Sequence, residues 1–423
     1  MLAAARPLLP APPSWYPGHM TQFARMLPDL LRRTDVVLEL RDSRLPLTSI
    51  NPNFEGALRK WRNERGFISP QSLGTNVAPA PSLPYTPVCE RIVVFNKRDL
   101  VSGWGIEPFR KAMAKKHPDQ STFFASWTRP KDVKALSDML IDIARRNTHA
   151  PELNVLVVGM PNVGKSTLLN ALRNIGIAGP TPKALRTSAQ PGLTRALSTR
   201  LKLSVDPLVY AFDSPGVMLP FLGQGDRGAE RGVKLALIAG IKEGLYDIES
   251  LAAYLLYRLN ILDPISPAYL EILPPSTAPL TDVLEFLDTL GRRLGMLRKG
   301  GIVDTTRSAV WFIKWWREEG CRTAASTPLL TSFAADAVPG SRTHRRGWGF
   351  DLEWSVEESE LERYDKSMIQ AKMEECIDTY EAELMEEERE GGGISSTQQK
   401  KHLRDEQLAK RAAKTKAKMA RSR

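Results

Sequence analysis

Residues 159–166 read Gly159-Met160-Pro161-Asn162-Val163-Gly164-Lys165-Ser166, and this G-x-x-x-x-G-K-S pattern decides the fold. It follows the apolar run Val155-Leu156-Val157-Val158 and opens a stretch with Leu168, Leu169, Ala171 and Leu172 at helical spacing. Strand, loop and helix in that order are the context a phosphate-binding loop requires. The backbone N–H groups between Gly159 and Lys165, those of Asn162, Val163 and Gly164 among them, form a concave nest for anionic oxygens at a helix N-terminus. Lys165 places a point charge on the β and γ phosphates. Ser166 offers its hydroxyl to magnesium, and Thr167 is placed to meet the α phosphate.

Four further segments belong with this loop. Asp213-Ser214-Pro215-Gly216 follows the apolar run 208–212. There Asp213 would hold magnesium through water, and the Gly216 N–H would meet the γ phosphate. Between the two motifs lies Gln190-Pro191-Gly192-Leu193-Thr194, whose Thr194 is the candidate switch threonine that completes the magnesium shell. Asn96-Lys97-Arg98-Asp99 follows the apolar run 92–95. A carboxylate at Asp99 can accept from both the N1–H and the 2-amino group of guanine, a donor pair that adenine lacks, so the tetrapeptide selects GTP over ATP. The Lys97 stem would pack on the base and Asn96 would brace the loops. Ala125-Ser126-Trp127, after the next strand, is an imperfect second base loop and leaves a backbone contact at Ser126.

The order of these segments is inverted. In Ras-like GTPases the phosphate loop leads and the Asn-Lys-x-Asp segment trails it. Joining the termini of such a sheet and opening the chain after Asp-x-x-Gly gives the order found here, with the site unchanged in space. The fold expected is therefore α/β: a circularly permuted Ras-like P-loop GTPase domain, followed by a C-terminal helical domain and a disordered basic tail. The chain leaving Gly216 would run directly into the C-terminal region, so γ-phosphate status could bias that region's position.

Composition sets the frame for this reading. A chain of 423 residues has room for two or three domains, and 42% hydrophobic with 25% charged residues is ordinary for folded cores. No stretch approaches the roughly 18–20 apolar residues of a membrane span, so a soluble or peripheral protein is expected. Cys89, Cys321 and Cys376 lack metal-ligand spacing and argue against a disulfide framework. A net charge of +11 suits a polyanionic partner. Residues 1–14 are acid-free, with Arg6 the one basic residue and several prolines; a mitochondrial presequence and a disordered terminus both fit. Residues 15–248 read as the GTPase domain, with 62–90 a Pro- and Ser-rich surface insertion. Residues 249–356 read as a mainly helical domain that could end in a short hairpin near 341–354, 357–390 as an acidic helix, and 391–423 as a basic disordered tail.

With Trp15-Tyr16-Pro17-Gly18-His19-Met20 and Arg41-Asp42-Ser43-Arg44-Leu45-Pro46, this order resembles the circularly permuted GTPases of the RbgA/YlqF type, the mitochondrial ribosome-associated GTPase 1 branch in particular. Leu297-Arg298-Lys299-Gly300-Gly301 is also similar to that family. The resemblance implies a low intrinsic GTPase activity that rises on a large-ribosomal-subunit precursor in the mitochondrial matrix; a GTP-gated rRNA- or protein-binding placeholder with incidental hydrolysis, and a cytosolic or nucleolar ribosome-biogenesis relative, are the other readings. It implies rRNA contact as well, with the possibility of peripheral inner-membrane association and a monomeric state. Val217 stands where Ras-like enzymes place a water-orienting glutamine and cannot hydrogen-bond a water. The resemblance points instead to His19; a turn-bracing histidine is the other reading. It also implies potassium at Asn162, against a loop-stabilising role. Arg292, Arg293, Arg298 and Lys299 lie near Trp311, Trp315 and Trp316, which suits either RNA contact or, for the indoles, a place in the core.

Overall fold

The computed structural model describes residues 6–13, 16–65, 88–147, 149–179, 184–185, 197–219, 222–263, 266–324, 343–357, 360, 365–389 and 404. Thr194, Trp15, the central part of the 62–90 insertion and nearly all of the basic tail lie outside these residues. In chain order the elements of the nucleotide-binding part are α1 (Gly18–Arg32), β1 (Val36–Asp42), α2 (Pro52–Glu64), β2 (Glu90–Asn96), α3 (Ile106–Lys116), β3 (Ser121–Phe124), α4 (Pro130–Arg146), β4 (Leu153–Gly159), α5 (Lys165–Gly176), β5 (Leu201–Ser204), β6 (Val209–Asp213) and α6 (Gly225–Leu237). There follow α7 (Ile248–Leu262), α8 (Val283–Leu294), α9 (Thr305–Trp315), α10 (Cys321–Ala324), the strands β7 (Thr343–Trp348) and β8 (Leu352–Glu357), and α11 (Lys366–Arg389).

The six-stranded sheet has the order β3-β2-β1-β4-β6-β5, parallel except for β5, which runs antiparallel to β6. β1 and β2 carry the apolar runs Val36-Val37-Leu38 and Ile92-Val93-Val94-Phe95, as expected where helices cover both faces of a parallel sheet. From β1 the chain winds outward to β2 and β3; from β4 it winds the other way. The reversal lies between β1 and β4, and ligands of open α/β sheets bind outside the C-terminal ends of the strands at that point. α4 carries the chain from the edge strand β3 back to the central β4. That return is the joint of the permutation.

The sheet face under α2 holds an unusual charged cluster. Buried Glu39 accepts from Arg41 at 2.7 Å and from Arg91, and Glu55 of α2 accepts from both arginines. Burial would raise the Glu39 carboxyl, but the two guanidinium groups outweigh it and hold it at about 2.

One strand differs from its expected limits. Residues 197–203 read as a strand, yet the ladder begins at Leu201. Upstream, the Asp213 N–H donates to the Ser198 hydroxyl at 2.8 Å, and Ser198 N–H donates to the Asp213 carbonyl at 2.9 Å. A side chain thus takes a place that a backbone carbonyl would hold.

The apolar core runs without interruption from the sheet into α7, α8 and α9 through Tyr254, Leu287, Phe286 and Phe312. Trp315 and Trp316 are buried and Trp311 packs against the same core, so the indoles are core residues. A second cluster lies beyond β2. There Phe95, Phe109 and Phe124 meet Trp348 and Trp354 of the β7–β8 hairpin and Ile369, Met373 and Ile377 of α11. The Trp348 indole N–H donates to the Ser102 carbonyl at 2.9 Å. The hairpin and the acidic helix are therefore packed onto the base-reading side of the sheet.

Candidate nucleotide site

β4 delivers the phosphate loop at the switch point, and Lys165 opens α5 with Gly164 as its N-cap at φ +92°. A Cβ on Gly164 would lie 2.5 Å from Asn96 Nδ2, and one on Gly159 would lie 2.4 Å from the Leu40 carbonyl oxygen. Both positions need glycine because neighbouring segments close against the loop. Asn162 also has positive φ, at +60°, a conformation asparagine tolerates better than most residues. The Lys165 ammonium donates to the carbonyls of Gly159 (3.1 Å) and Met160 (2.8 Å). Burial pushes its pKa down to about 8, against the pull of Asp213.

β6 ends at Asp213, and Ser166 donates to Asp213 Oδ2 at 2.5 Å. Asp213 Oδ1 is buried with no hydrogen-bond partner among the described residues. Burial raises this carboxyl above its ordinary value, with Lys165 and Ser166 opposing. A hydroxyl beside a dehydrated carboxylate with an unused oxygen fits a hard divalent cation such as Mg2+, which takes a few protein oxygens plus substrate phosphates. Among the described residues no cluster of His, Cys, Asp and Glu forms an all-protein metal site.

The Asn96–Asp99 loop is fastened to the phosphate loop from the other side. Asn96 Nδ2 donates to the Val163 carbonyl and Lys97 Nζ to the Asn162 carbonyl, each at 2.8 Å. Segments 65 and 67 residues apart in the chain are thus in direct contact. Lys97 itself has φ +62°. Asp99 lies half-buried in the short turn Arg98–Leu100. Arg98 pairs with Asp132 at 2.6 Å, and the same carboxylate accepts from the Ser126 N–H at 3.1 Å. The Ser126 amide expected at the base is therefore held by Asp132 here, and a contact to guanine through it requires an exchange of partners.

On the γ-phosphate side, Gly216 packs on Pro161, and Val217 donates its N–H to the Gly159 carbonyl at 3.2 Å. The Val217 side chain is 2% exposed. Asn51 Nδ2 donates to its carbonyl at 3.3 Å. The first turn of α1 lies alongside, with the Met218 N–H 3.5 Å from the sulfur of Met20. His19 is the residue before it and is half-buried. Asn162 Nδ2 donates to the Ala239 carbonyl at 3.0 Å, which links the phosphate loop to the end of α6.

A network absent from the motif reading surrounds the base reader. Asp42, at the end of β1, is fully buried; it accepts from Arg44 in bidentate fashion at 2.8 Å and from Lys97 at 2.9 Å. Burial would raise its carboxyl, but the two cations outweigh that and hold it well below the usual carboxylate range. Burial lowers Lys97, with Asp42 opposing. Arg44 lies over the Trp316 ring and donates to the Arg317 carbonyl at 3.3 Å. The Arg317 guanidinium in turn donates to the carbonyls of Leu237 (2.6 Å) and Ala236 (3.0 Å) at the end of α6. Asp351 in the hairpin turn accepts from the N–H groups of Leu47 and Thr48 and from the Thr48 hydroxyl. The sequence signal was present in Asp42-x-Arg44 at the end of a buried strand, but Lys97 lies 55 residues on and the Arg317 carbonyl 273.

Arg292, Arg298 and Lys299 are solvent-facing; Arg292 pairs with Asp288 and Arg298 with Asp304. Arg293 donates to the carbonyls of Glu271 and Leu273.

The profile of the 50S ribosome-binding GTPase family matches residues 154–259. The chain is 30% identical over 324 residues to Mitochondrial GTPase 1 of Schizosaccharomyces japonicus, a match covering 72% of this chain and 87% of that protein. It is 30% identical over 251 residues to Mitochondrial ribosome-associated GTPase 1 of Mus musculus, covering 58% of this chain and 66% of that one. The solved structure of GNP-bound YlqF from T. maritima aligns with a TM-score of 0.42 and 18% identity, over 72% of this chain and 95% of its own. With a relative of that identity aligned over most of both chains, the protein is a GTPase and belongs to the family of circularly permuted GTPases that includes the Mitochondrial GTPase 1 proteins.

Proposed function

We propose that this GTPase acts in assembly of the mitochondrial large ribosomal subunit, binding precursor particles and their rRNA in the GTP state and hydrolysing GTP faster once bound. The observation that carries this reading is Val217. An apolar, 2% exposed side chain stands where a water guide is needed, so the free protein has a poorly guided nucleophile. His19 takes that role from the N-terminal turn of α1, whose Met20 touches Met218. A particle that presses on α1 would complete the site. The names of the relatives, mitochondrial and ribosome-associated, support the compartment and the partner.

In this reading the backbone amides of Asn162, Val163 and Gly164 and the Lys165 ammonium hold the phosphates, with Thr167 at the α phosphate and Gly216 at the γ phosphate. Ser166 and Asp213, with Thr194, would hold Mg2+, which when bound would supply charge neutralisation at the phosphates. Asn162 supports a potassium ion beside the loop. Asn96, Lys97 and Asp99 read guanine, with Ser126 as a second contact. Residues 15–248 do the nucleotide chemistry; 249–356 and the basic segment 391–423 face the particle, and 1–14 directs import. The protein works as a monomer in the matrix, peripheral to the inner membrane when attached at all; among the described residues no helix is long and apolar enough to cross a membrane.

Single-turnover hydrolysis with and without purified mitochondrial large-subunit precursors tests this. Stimulation of ten-fold or more is expected, and an unchanged rate would contradict the ribosomal reading.

A further inference from the structure

The Asn96–Asp99 loop is tied to the Ala125-Ser126-Trp127 segment as well as to the phosphate loop. The Ala125 N–H donates to the Phe95 carbonyl at 2.9 Å, and the Arg98 N–H donates to the Ala125 carbonyl at 3.1 Å, so backbone bonds join the ends of β2 and β3. The next amide along, that of Ser126, turns away and donates to Asp132 Oδ2 at 3.1 Å. Ser126 is fully buried and its other polar groups are engaged. Its hydroxyl lies 2.7 Å from the Thr128 hydroxyl and accepts from the Thr128 N–H at 3.2 Å, and its carbonyl accepts from the Arg129 N–H at 3.0 Å.

Asp132 is buried in the first turn of α4. Arg98 Nε lies 2.6 Å from the same Oδ2, as an ion pair rather than an aligned hydrogen bond. Arg98 is the variable member of Asn96-Lys97-Arg98-Asp99, so one carboxylate oxygen reaches both loops. An N–H bonded to a carboxylate is held about twice as strongly as one bonded to a neutral carbonyl. Guanine O6 is a neutral carbonyl oxygen with partial negative charge. To take the Ser126 N–H it has to displace a stronger acceptor and come close to a negative charge. Asp132 keeps two attractions when it lets the amide go, the Arg98 guanidinium and the N-terminal turn of α4, so the exchange strands no buried charge.

We propose that Asp132 competes with guanine O6 for the Ser126 N–H, which lowers affinity for guanine nucleotides and quickens their release, and that Arg98 tempers its hold. Asp132 is a positioning residue: it acts on the base through the Ser126 amide. The inference deepens the reading of Asn96, Lys97, Asp99 and Ser126 as the guanine site and rests on it. Signs separate competition from bracing. If the ion pair only braced the loops, losing either partner would loosen the site alike. Competition gives opposite effects, because Asp132 without its charge grips the amide less, and Asp132 without Arg98 grips it more.

The test uses the full chain and two nucleotides, GDP and 6-thio-GDP. The second keeps the N1–H and 2-amino donors, but its thiocarbonyl is a weak acceptor. Stopped-flow release of a ribose-labelled fluorescent GDP gives the rate, and competition titration gives both affinities. Asp132→Asn, which is isosteric, should slow release and tighten GDP about five-fold, with 6-thio-GDP changed by less than about two-fold. Arg98→Gln should speed release about two-fold, and the double variant should behave like Asp132→Asn. The parent should bind the two nucleotides within about three-fold of each other, a comparison that needs no variant. Circular dichroism melts check the fold of each substituted chain. Release that is unchanged or faster in Asp132→Asn, an equal gain for both nucleotides, or the same sign at positions 98 and 132 would overturn the proposal. So would a larger preference of the parent for GDP. Asp99→Asn, compared on GTP and XTP, reads guanine recognition by itself. If that substitution has no effect, the guanine-site reading falls; if it behaves as expected and the comparison here fails, the role of Asp132 alone falls.

Discussion

Replacing Asp42 by Ala removes one carboxylate and strands two cations. Arg44 and Lys97 both direct their charge into that buried position, Arg44 through two side-chain hydrogen bonds and Lys97 through one. Losing one partner of a buried ion pair costs about 3–5 kcal/mol, because the remaining charge stays desolvated. With a urea slope of about 3 kcal/mol per M, the unfolding midpoint should fall by about 1–1.7 M. Asp288→Ala, which breaks an exposed pair with Arg292, should cost under about 1 kcal/mol and serves as the comparison. The effect has a definite pH sign. The folded-state pKa of Asp42 lies below its unfolded value, so its stabilisation is complete above the unfolded pKa near 4 and is lost as pH falls through the acid range. The deficit of Asp42→Ala should therefore be full at pH 7 and shrink below about pH 4. Equilibrium urea unfolding at pH 7 and pH 3.5 measures both quantities, and titration with a fluorescent GDP reports displacement of Lys97. A midpoint within 0.3 M of the parent at pH 7, or a deficit that grows in acid, would refute the reasoning.

Three other outcomes follow from the same geometry. Lys165 is held at about 8 by burial, and the ammonium is the form that phosphates favour; nucleotide affinity should decline above pH 8, and binding at pH 8 should take up about half a proton, as calorimetry in two buffers of different ionisation enthalpy would detect. His19→Ala should reduce particle-stimulated hydrolysis by about 100-fold with GTP binding unchanged, and an unaltered stimulated rate would leave His19 as a turn residue. Gly164→Ala places a Cβ 2.5 Å from Asn96 Nδ2 at a backbone φ of +92°, so guanine nucleotide affinity should drop at least about ten-fold by equilibrium titration.

Much of the site could be read because its motifs are local. A phosphate loop is one turn, and its chemistry follows from eight successive residues; the same holds for Asp213–Gly216 and for Asn96–Asp99. Their convergence was legible too, since the inverted order has a simple physical origin in a sheet whose ends can be rejoined. What stayed hidden depends on distant partners. Asp351 shows no pattern that pairs it with Leu47 and Thr48, yet it fixes the hairpin to the loop after β1. The acidic stretch was readable as a helix, but its row of partners on α3 and α6 comes from tertiary packing. Ser126 illustrates the limit from the other direction. It lies just after β3, while the hydrogen bond of its amide to Asp132, six residues on, could not be foreseen without the fold.

In the function proposed above, a base reader placed ahead of the phosphate loop in the chain serves the same site and selects guanine through one carboxylate. Asp99→Asn tests it most directly. An amide at position 99 loses the paired acceptance from guanine N1–H and the 2-amino group, but can accept from N1–H of xanthine and donate to its O2. Two hydrogen bonds to a charged acceptor are worth about 3–6 kcal/mol together, so GTP affinity should fall at least about 100-fold. Competition titration and hydrolysis with GTP and XTP side by side should show the variant preferring XTP and the parent preferring GTP. A variant that binds GTP as tightly as the parent would mean that Asp99 does not read the base, and the permuted site would have to be rebuilt from other residues.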